Sequence, residues 1–162
     1  MAYLVVNEAW VGAAVVLTIA VITDISDGYI ARIRNQTTPL GGFLDHSSDA
    51  FFVTILLIAL TEHGLVNITL PVFVVAAFLQ YTFDSKVLAG QPLRTSSLGR
   101  YNGICYFIFG GFPVMQNALQ VYLIPDDYFP YFGWGLVLST IISMLDRAWA
   151  LISKNSDSSL DE

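Results

Sequence analysis

Charge is scarce in this sequence. Only 12% of its 162 residues are Asp, Glu, Lys or Arg, against roughly 25% in ordinary water-soluble domains. With 55% hydrophobic residues and a mean hydropathy of +0.63, too little polar surface remains to cover a water-soluble globule. The expectation is an integral membrane protein. The formal net charge of -6 carries no sign of a nucleic-acid partner, and none is expected. A single cysteine, Cys105, rules out an intramolecular disulfide and reads as a small buried hydrophobe. The start, MAYLVVNEAW, has no basic segment and no cleavage site, so it does not read as a secretory signal. Internal repeats and a second domain are also missing.

What is present is a series of long apolar runs. A membrane-spanning helix needs about 20 predominantly apolar residues, and five segments qualify as expected spans: 8–32, 41–61, 65–83, 101–123 and 128–152. Polar or turn-forming stretches separate them, among them NQTTPLGG, TEHG, DSKVLAGQPLRTSSLGR and PDDYFP. The fold class expected is all-α, a polytopic transmembrane helix bundle. It forms one domain over residues 1–153, with a polar tail at 154–162. Arg32, Arg34, Lys86, Arg94, Arg100, Arg147 and Lys154 are all the Lys and Arg residues of the chain, and an up-and-down path puts every one at the same end of the bundle. By the positive-inside rule that end is cytoplasmic. Five spans then leave the N-terminus outside, although nothing near Met1 directs it there; a sixth apolar helix upstream of Met1 is the expectation.

Against this background the stretch DISDGYIARIRNQTTPLGGFLDHSSD, residues 24–49, is out of place. Asp24, Asp27, Gly28, Ala31 and Arg32 fall at i, i+3, i+4, i+7 and i+8, one face of an α-helix. Gly41, Asp45 and Asp49 fall at i, i+4 and i+8, again one face. Residues 33–40 allow a tight antiparallel hairpin in which the two acidic faces meet. An Asp at the centre of a spanning helix costs about 2.5–3.5 kcal/mol, so four would cost roughly 10 kcal/mol, less near the interface. One arginine cannot balance four carboxylates, whereas one or two hard divalent cations can. Oxygen-only ligands suit Mg²⁺ or Mn²⁺. Intramembrane carboxylates also mark cation pathways, so a divalent-cation transporter is the competing reading; it expects carboxylates spread through the membrane's depth rather than gathered near one interface.

The pattern D-x2-D-G-x2-A-R-x8-G-x3-D-x3-D, read from Asp24, Asp27, Gly28, Ala31, Arg32, Gly41, Asp45 and Asp49, resembles the signature of the CDP-alcohol phosphotransferases. These are membrane enzymes of phospholipid synthesis, also called CDP-alcohol phosphatidyltransferases. ARIRNQTTPLGGFLD is similar to the matching segment of bacterial phosphatidylglycerophosphate synthases. The strong resemblance covers residues 22–60. It implies that Asp24, Asp27 and Asp45 bind metal, and that Asp49 bridges to a metal or acts as general base. It further implies that Asp24, Asp27, Gly28, Ala31, Arg32 and Gly41 form the CDP site, the small residues allowing close approach and Arg32 holding phosphate oxygens. Lys86, Arg94 and Arg100 are the implied contacts of a phosphorylated acceptor. The donor implied is CDP-diacylglycerol or a similar CDP-alcohol, the acceptor a small alcohol such as glycerol 3-phosphate, and the leaving group CMP. A homodimer embedded in membrane lipid, in a bacterial inner or plasma membrane, is implied as well. The family's usual plan has six spans, the first of which has no counterpart in the sequence, and a catalytically inactive member acting as a subunit is the reading this keeps open. His46 falls off the acidic face by helical count and reads as a bystander, and Asp146–Arg147 reads as a local ion pair.

Overall fold

The computed structural model describes residues 1–33, 38–84 and 97–158, and all the regular elements among them are helical. In chain order they are α1 (Ala2–Val6), α2 (Trp10–Ile33), α3 (Pro39–Thr61), α4 (Thr69–Asp84), α5 (Ser97–Leu119) and α6 (Phe129–Ser158), with a 3-10 turn at Asp126–Tyr128 before α6. Together they form an all-α membrane helical bundle. Among the described residues three stretches are long and apolar enough to cross a membrane: Trp10–Ile30, Gly41–Thr61 and Asp126–Ala150. Helix α4 is apolar but has 16 residues, about 24 Å at 1.5 Å per residue, short of a hydrocarbon core of about 30 Å. Helix α5 has the length, 23 residues, but its first turns carry Ser97, Arg100 and Asn102.

The boundaries differ from the sequence reading where local hydrogen bonds override hydropathy. The first expected span, 8–32, is helix α2 starting at Trp10, and a short helix α1 that the sequence reading did not include precedes it; Glu8, at φ 57°, turns the chain between the two. Helix α3 starts at Pro39 because Thr38 caps it, its hydroxyl oxygen accepting from the Gly41 amide at 3.0 Å. It stops after Thr61 because Gly64 takes φ 69° and the Leu65 amide donates back to the Leu60 carbonyl at 3.2 Å, a Schellman-type end. Leu65 and Val66, counted as helix from sequence, are instead buried turn residues. Asn67 then opens α4 by accepting from the Leu70 amide at 3.2 Å. Helix α5 ends early because Gln120 adopts φ 55°. The chain beyond is held by the buried Gln116, which accepts from the Leu123 and Ile124 amides at 3.0 Å each. Helix α6 runs through Ser158, past the expected end at Ile152, since no Gly or Pro interrupts 151–158.

Packing brings α2 against α5, α4 against α3 and α6, and α5 against α3 and α6, while α1 covers the far end of α3. Small residues set the closest crossings. A Cβ at Gly110 would come within 3.1 Å of Leu56, and one at Gly111 within 3.1 Å of Leu17, so α5 approaches α3 and α2 as small-residue helix pairs do in lipid. The core runs through Leu17, Leu56, Leu57, Leu60, Val114 and Phe129. His63 ties α1 to the end of α3, its Nε2 lying 2.9 Å from the Val5 carbonyl oxygen. Cys105, expected to be buried, is exposed, as are Tyr101, Ile104 and Ile108 beside it on α5.

The helix ends sort into two sets. The C-terminal parts of α2, α4 and α6 and the N-terminal parts of α3 and α5 share one end of the bundle, and it is there that Asp24, Asp45 and Asp49 lie.

Candidate active site

Helices α2 and α3 bring Asp24 together with Asp45 and Asp49. One carboxylate oxygen from each of the three lies within 4.8 Å of the others. Asp24 and Asp45 are exposed and Asp49 is half-buried. The spacing on α3 is what allows this: residues four apart lie on one helix face, so Asp45 and Asp49 both look toward α2. Asp27, one turn beyond Asp24, is exposed and outside this group of three, though close enough for its charge to act on Asp24. The donor set is all oxygen and anionic, and its spread fits one hard divalent cation bonded at about 2.0–2.6 Å with positions left for water or phosphate. The acidic group can therefore hold a metal ion.

Behind the carboxylates is a cavity of about 480 Å³ between α2, α3, α4, α5 and α6. Asp24 and Asp49 form one wall, and Arg100, Arg147 and His46 are at its charged side. Arg147 sits over the Tyr81 ring, its guanidinium carbon 4.6 Å from the ring centre, a cation–π arrangement. The His46 ring also meets Tyr81, its centre 4.7 Å away, edge on. Three side chains from α3, α4 and α6 thus meet at Tyr81 on the cavity lining. Further in, the lining turns polar but uncharged: Gln80, Asn102, Tyr106, Thr140 and Ser143. The Tyr106 hydroxyl is hydrogen-bonded to Thr140, and the Ser139 hydroxyl donates to Asn102 Oδ1 at 2.7 Å.

The remaining sequence candidates fall as follows. Gly28 is half-exposed on α2. Gly41 sits at the capped start of α3, where a Cβ would lie 3.0 Å from the Thr38 hydroxyl, so the cap itself calls for a small residue. Ala31 and Arg32 are on α2, with their side chains outside the description. Lys86 and Arg94 lie outside the described residues. Arg100 is exposed and lines the cavity. Two residues that sequence reasoning set aside belong to the cavity: His46, taken for a bystander, and Arg147, taken for half of a local ion pair. The signal that would have found Arg147 is the run Thr140, Ser143, Arg147 at i, i+3, i+7, a polar stripe on an otherwise apolar helix.

Comparison with known proteins bears on most of the chain. The family described as CDP-alcohol phosphatidyltransferase matches residues 1–147. A Pseudomonas fluorescens protein named CDP-diacylglycerol--glycerol-3-phosphate 3-phosphatidyltransferase is 42% identical over 74 residues, which is 45% of this chain and 38% of that relative. The Escherichia coli K12 protein of the same name is 41% identical over 61 residues, 38% of this chain and 34% of the relative. The alignments thus span little more than a third of each relative's length. No solved structure matches.

Proposed function

The chain belongs to the CDP-alcohol phosphatidyltransferase family, and on that premise we propose that it moves a phosphatidyl group from CDP-diacylglycerol to the hydroxyl of a small alcohol, releasing CMP, as a step of phospholipid synthesis. Glycerol 3-phosphate is the acceptor favoured, because the relatives in Pseudomonas and Escherichia carry that name. The observation that carries the reading is the convergence of Asp24, Asp45 and Asp49 within 4.8 Å at the wall of a cavity that also holds arginine.

Asp24, Asp45 and Asp49 would hold Mg²⁺ or Mn²⁺, with Asp27 completing the acidic face. When bound, the metal supplies positive charge to the diphosphate and to the CMP that departs. Gly28 and Ala31 leave room for the nucleotide diphosphate against α2, and Arg32 holds its oxygens; Gly41 keeps the α3 cap compact beside it. Asp49, half-buried and facing the cavity, accepts the proton of the acceptor hydroxyl. The hydroxyl oxygen bonds to the β-phosphorus as the bond from that phosphorus to the CMP oxygen breaks. Arg100 and Arg147 attract the acceptor's phosphate into the cavity, with Lys86 and Arg94 as further candidates from the α4–α5 connection. The arginine-bearing end of the bundle is the cytoplasmic one by the positive-inside rule, in a bacterial inner or plasma membrane, and the working unit is a homodimer in lipid.

The test is CMP release by the purified, detergent-solubilised chain given CDP-diacylglycerol and a panel of alcohols: glycerol 3-phosphate, inositol phosphate and serine. Release with glycerol 3-phosphate well above the others supports the reading. Release with another alcohol keeps the reaction class and changes the acceptor, and no release with any alcohol refutes it.

A further inference from the structure

We infer that His46 donates a ring N–H to the acceptor's phosphate, beside Arg147, and so steers the acceptor's hydroxyl toward Asp49; the inference rests on the phosphatidyl transfer proposed above. His46 is three residues before Asp49 on α3, and both line the cavity. Residues three apart on a helix carry their Cβ atoms about 5–6 Å from each other. Two rings of α4 hold the imidazole: the centre of Tyr81 lies 4.7 Å from it, edge on, and that of Phe78 lies 5.7 Å away. Arg147 sits over the same Tyr81 ring, its guanidinium carbon 4.6 Å from the ring centre, and is close enough for its charge to act on His46. His46 thus stands between the carboxylate that takes the proton and the guanidinium that attracts the phosphate.

What the imidazole leaves undone points to its task. Histidine is a common metal ligand, yet His46 does not join the three carboxylates that can hold a metal ion. No described residue is hydrogen-bonded to either of its ring nitrogens, and the residue is exposed where it lines the cavity. A neutral imidazole carries one N–H donor and one bare nitrogen. Phosphate oxygens are anionic acceptors, and hydrogen bonds to an ionised partner are the strong ones. A phosphate that accepts bonds of about 2.8 Å on two sides can bridge an imidazole and a guanidinium packed on one tyrosine ring. With its phosphate held there, a small alcohol runs along α3 with its hydroxyl toward Asp49, one turn on.

The experiment uses the full chain in detergent with CDP-diacylglycerol and Mg²⁺, and follows two readouts. The first is KM, which does not depend on how much protein is folded. His46→Phe keeps a ring against Phe78 and Tyr81 but removes the donor; it should raise the KM for glycerol 3-phosphate at least about tenfold, the worth of a hydrogen bond to a charged group, and leave the KM for CDP-diacylglycerol within about twofold. His46→Gln restores a donor and should stay within about threefold of wild type for both substrates. The second readout needs no variant: carbethoxylation of wild type by diethyl pyrocarbonate, located by mass spectrometry. Glycerol 3-phosphate at ten times its Kd should slow modification of His46 about tenfold, inorganic phosphate should also slow it, and glycerol should not. His63, at the far end of α3 with its Nε2 2.9 Å from the Val5 carbonyl oxygen, should react at one rate throughout. An unchanged KM for glycerol 3-phosphate in His46→Phe overturns the inference, as does an equal rise in His46→Gln. If neither variant folds, modification of wild-type His46 that glycerol 3-phosphate does not slow overturns it. In each of these cases CMP release by wild type leaves the proposed transfer standing. Protection of His46 by both phosphates in a chain that releases no CMP keeps the phosphate contact and refutes the transfer.

Discussion

Asp45→Asn should make the metal-free protein more stable and at the same time remove its response to metal. The carboxylate oxygens of Asp24, Asp45 and Asp49 lie within 4.8 Å of one another. Two unit charges at that separation repel by about 1 kcal/mol in water and about 3.5 kcal/mol at an effective dielectric of 20. Neutralising Asp45 relieves two of the three repulsions. Because Asp24 and Asp45 are exposed, the watery limit applies, and the gain is about 2 kcal/mol, or roughly 4–8 °C in Tm for a domain of this size. Wild type should in turn gain about 2.7 kcal/mol, some 5–10 °C, from Mg²⁺ or Mn²⁺ at a hundred times its Kd. The variant should bind metal at least about 100-fold more weakly and show almost none of that rise. Thermal unfolding in detergent, with EDTA and then with metal, reads both effects. A variant that melts lower than wild type in EDTA, or that keeps the metal-dependent rise, would refute the reasoning.

Asp49→Asn should lower CMP release by about 10²–10⁴-fold, the usual worth of a positioned base, while the thermal response to CDP-diacylglycerol persists; Asp24→Asn should lose both. A side chain placed at Gly103 meets nothing within 4 Å and lies on the cavity lining, so Gly103→Leu should fold normally yet raise the KM for the acceptor at least about tenfold, as expected when a binding site is occupied by protein. Gly103→Ala should be neutral or stabilising by up to about 1 kcal/mol, the helix-propensity gain. Tyr81→Leu removes the ring beneath Arg147 and should raise the acceptor KM by about 2- to 30-fold, the equivalent of a cation–π contact of about 0.5–2 kcal/mol, whereas Tyr81→Phe should stay within about twofold of wild type because the ring remains. A steady-state KM series with glycerol 3-phosphate checks Gly103→Leu and both Tyr81 variants, and thermal unfolding checks Gly103→Ala.

The bundle and its acidic hairpin were legible in the sequence because their signals are local. Asp24 is on one helix and Asp45 and Asp49 on the next, and the short connection at 33–40 leaves them little choice but to meet. Helix limits were less legible. Gly64 and Gln120 end α3 and α5 through left-handed backbone and back-bonded amides, which hydropathy does not register, and Leu65 and Val66 are apolar because a turn buries them. The cavity was not legible at all. His46, Tyr81 and Arg147 meet only because α3, α4 and α6 pack side by side, and no spacing within one helix reports a contact between three. Asn102 and Gln80 carried a weaker trace, as polar side chains inside apolar runs, but their partners Ser139 and Met144 are far away in sequence.

The most direct test of the central claim is CMP release from CDP-diacylglycerol by the purified chain with glycerol 3-phosphate, measured as prepared, after chelation, and after restoring Mg²⁺ or Mn²⁺. If Asp24, Asp45 and Asp49, which are placed to hold a metal ion, hold the catalytic one, release requires the acceptor, disappears on chelation and returns with either metal. Release that continues undiminished in excess chelator would contradict the account.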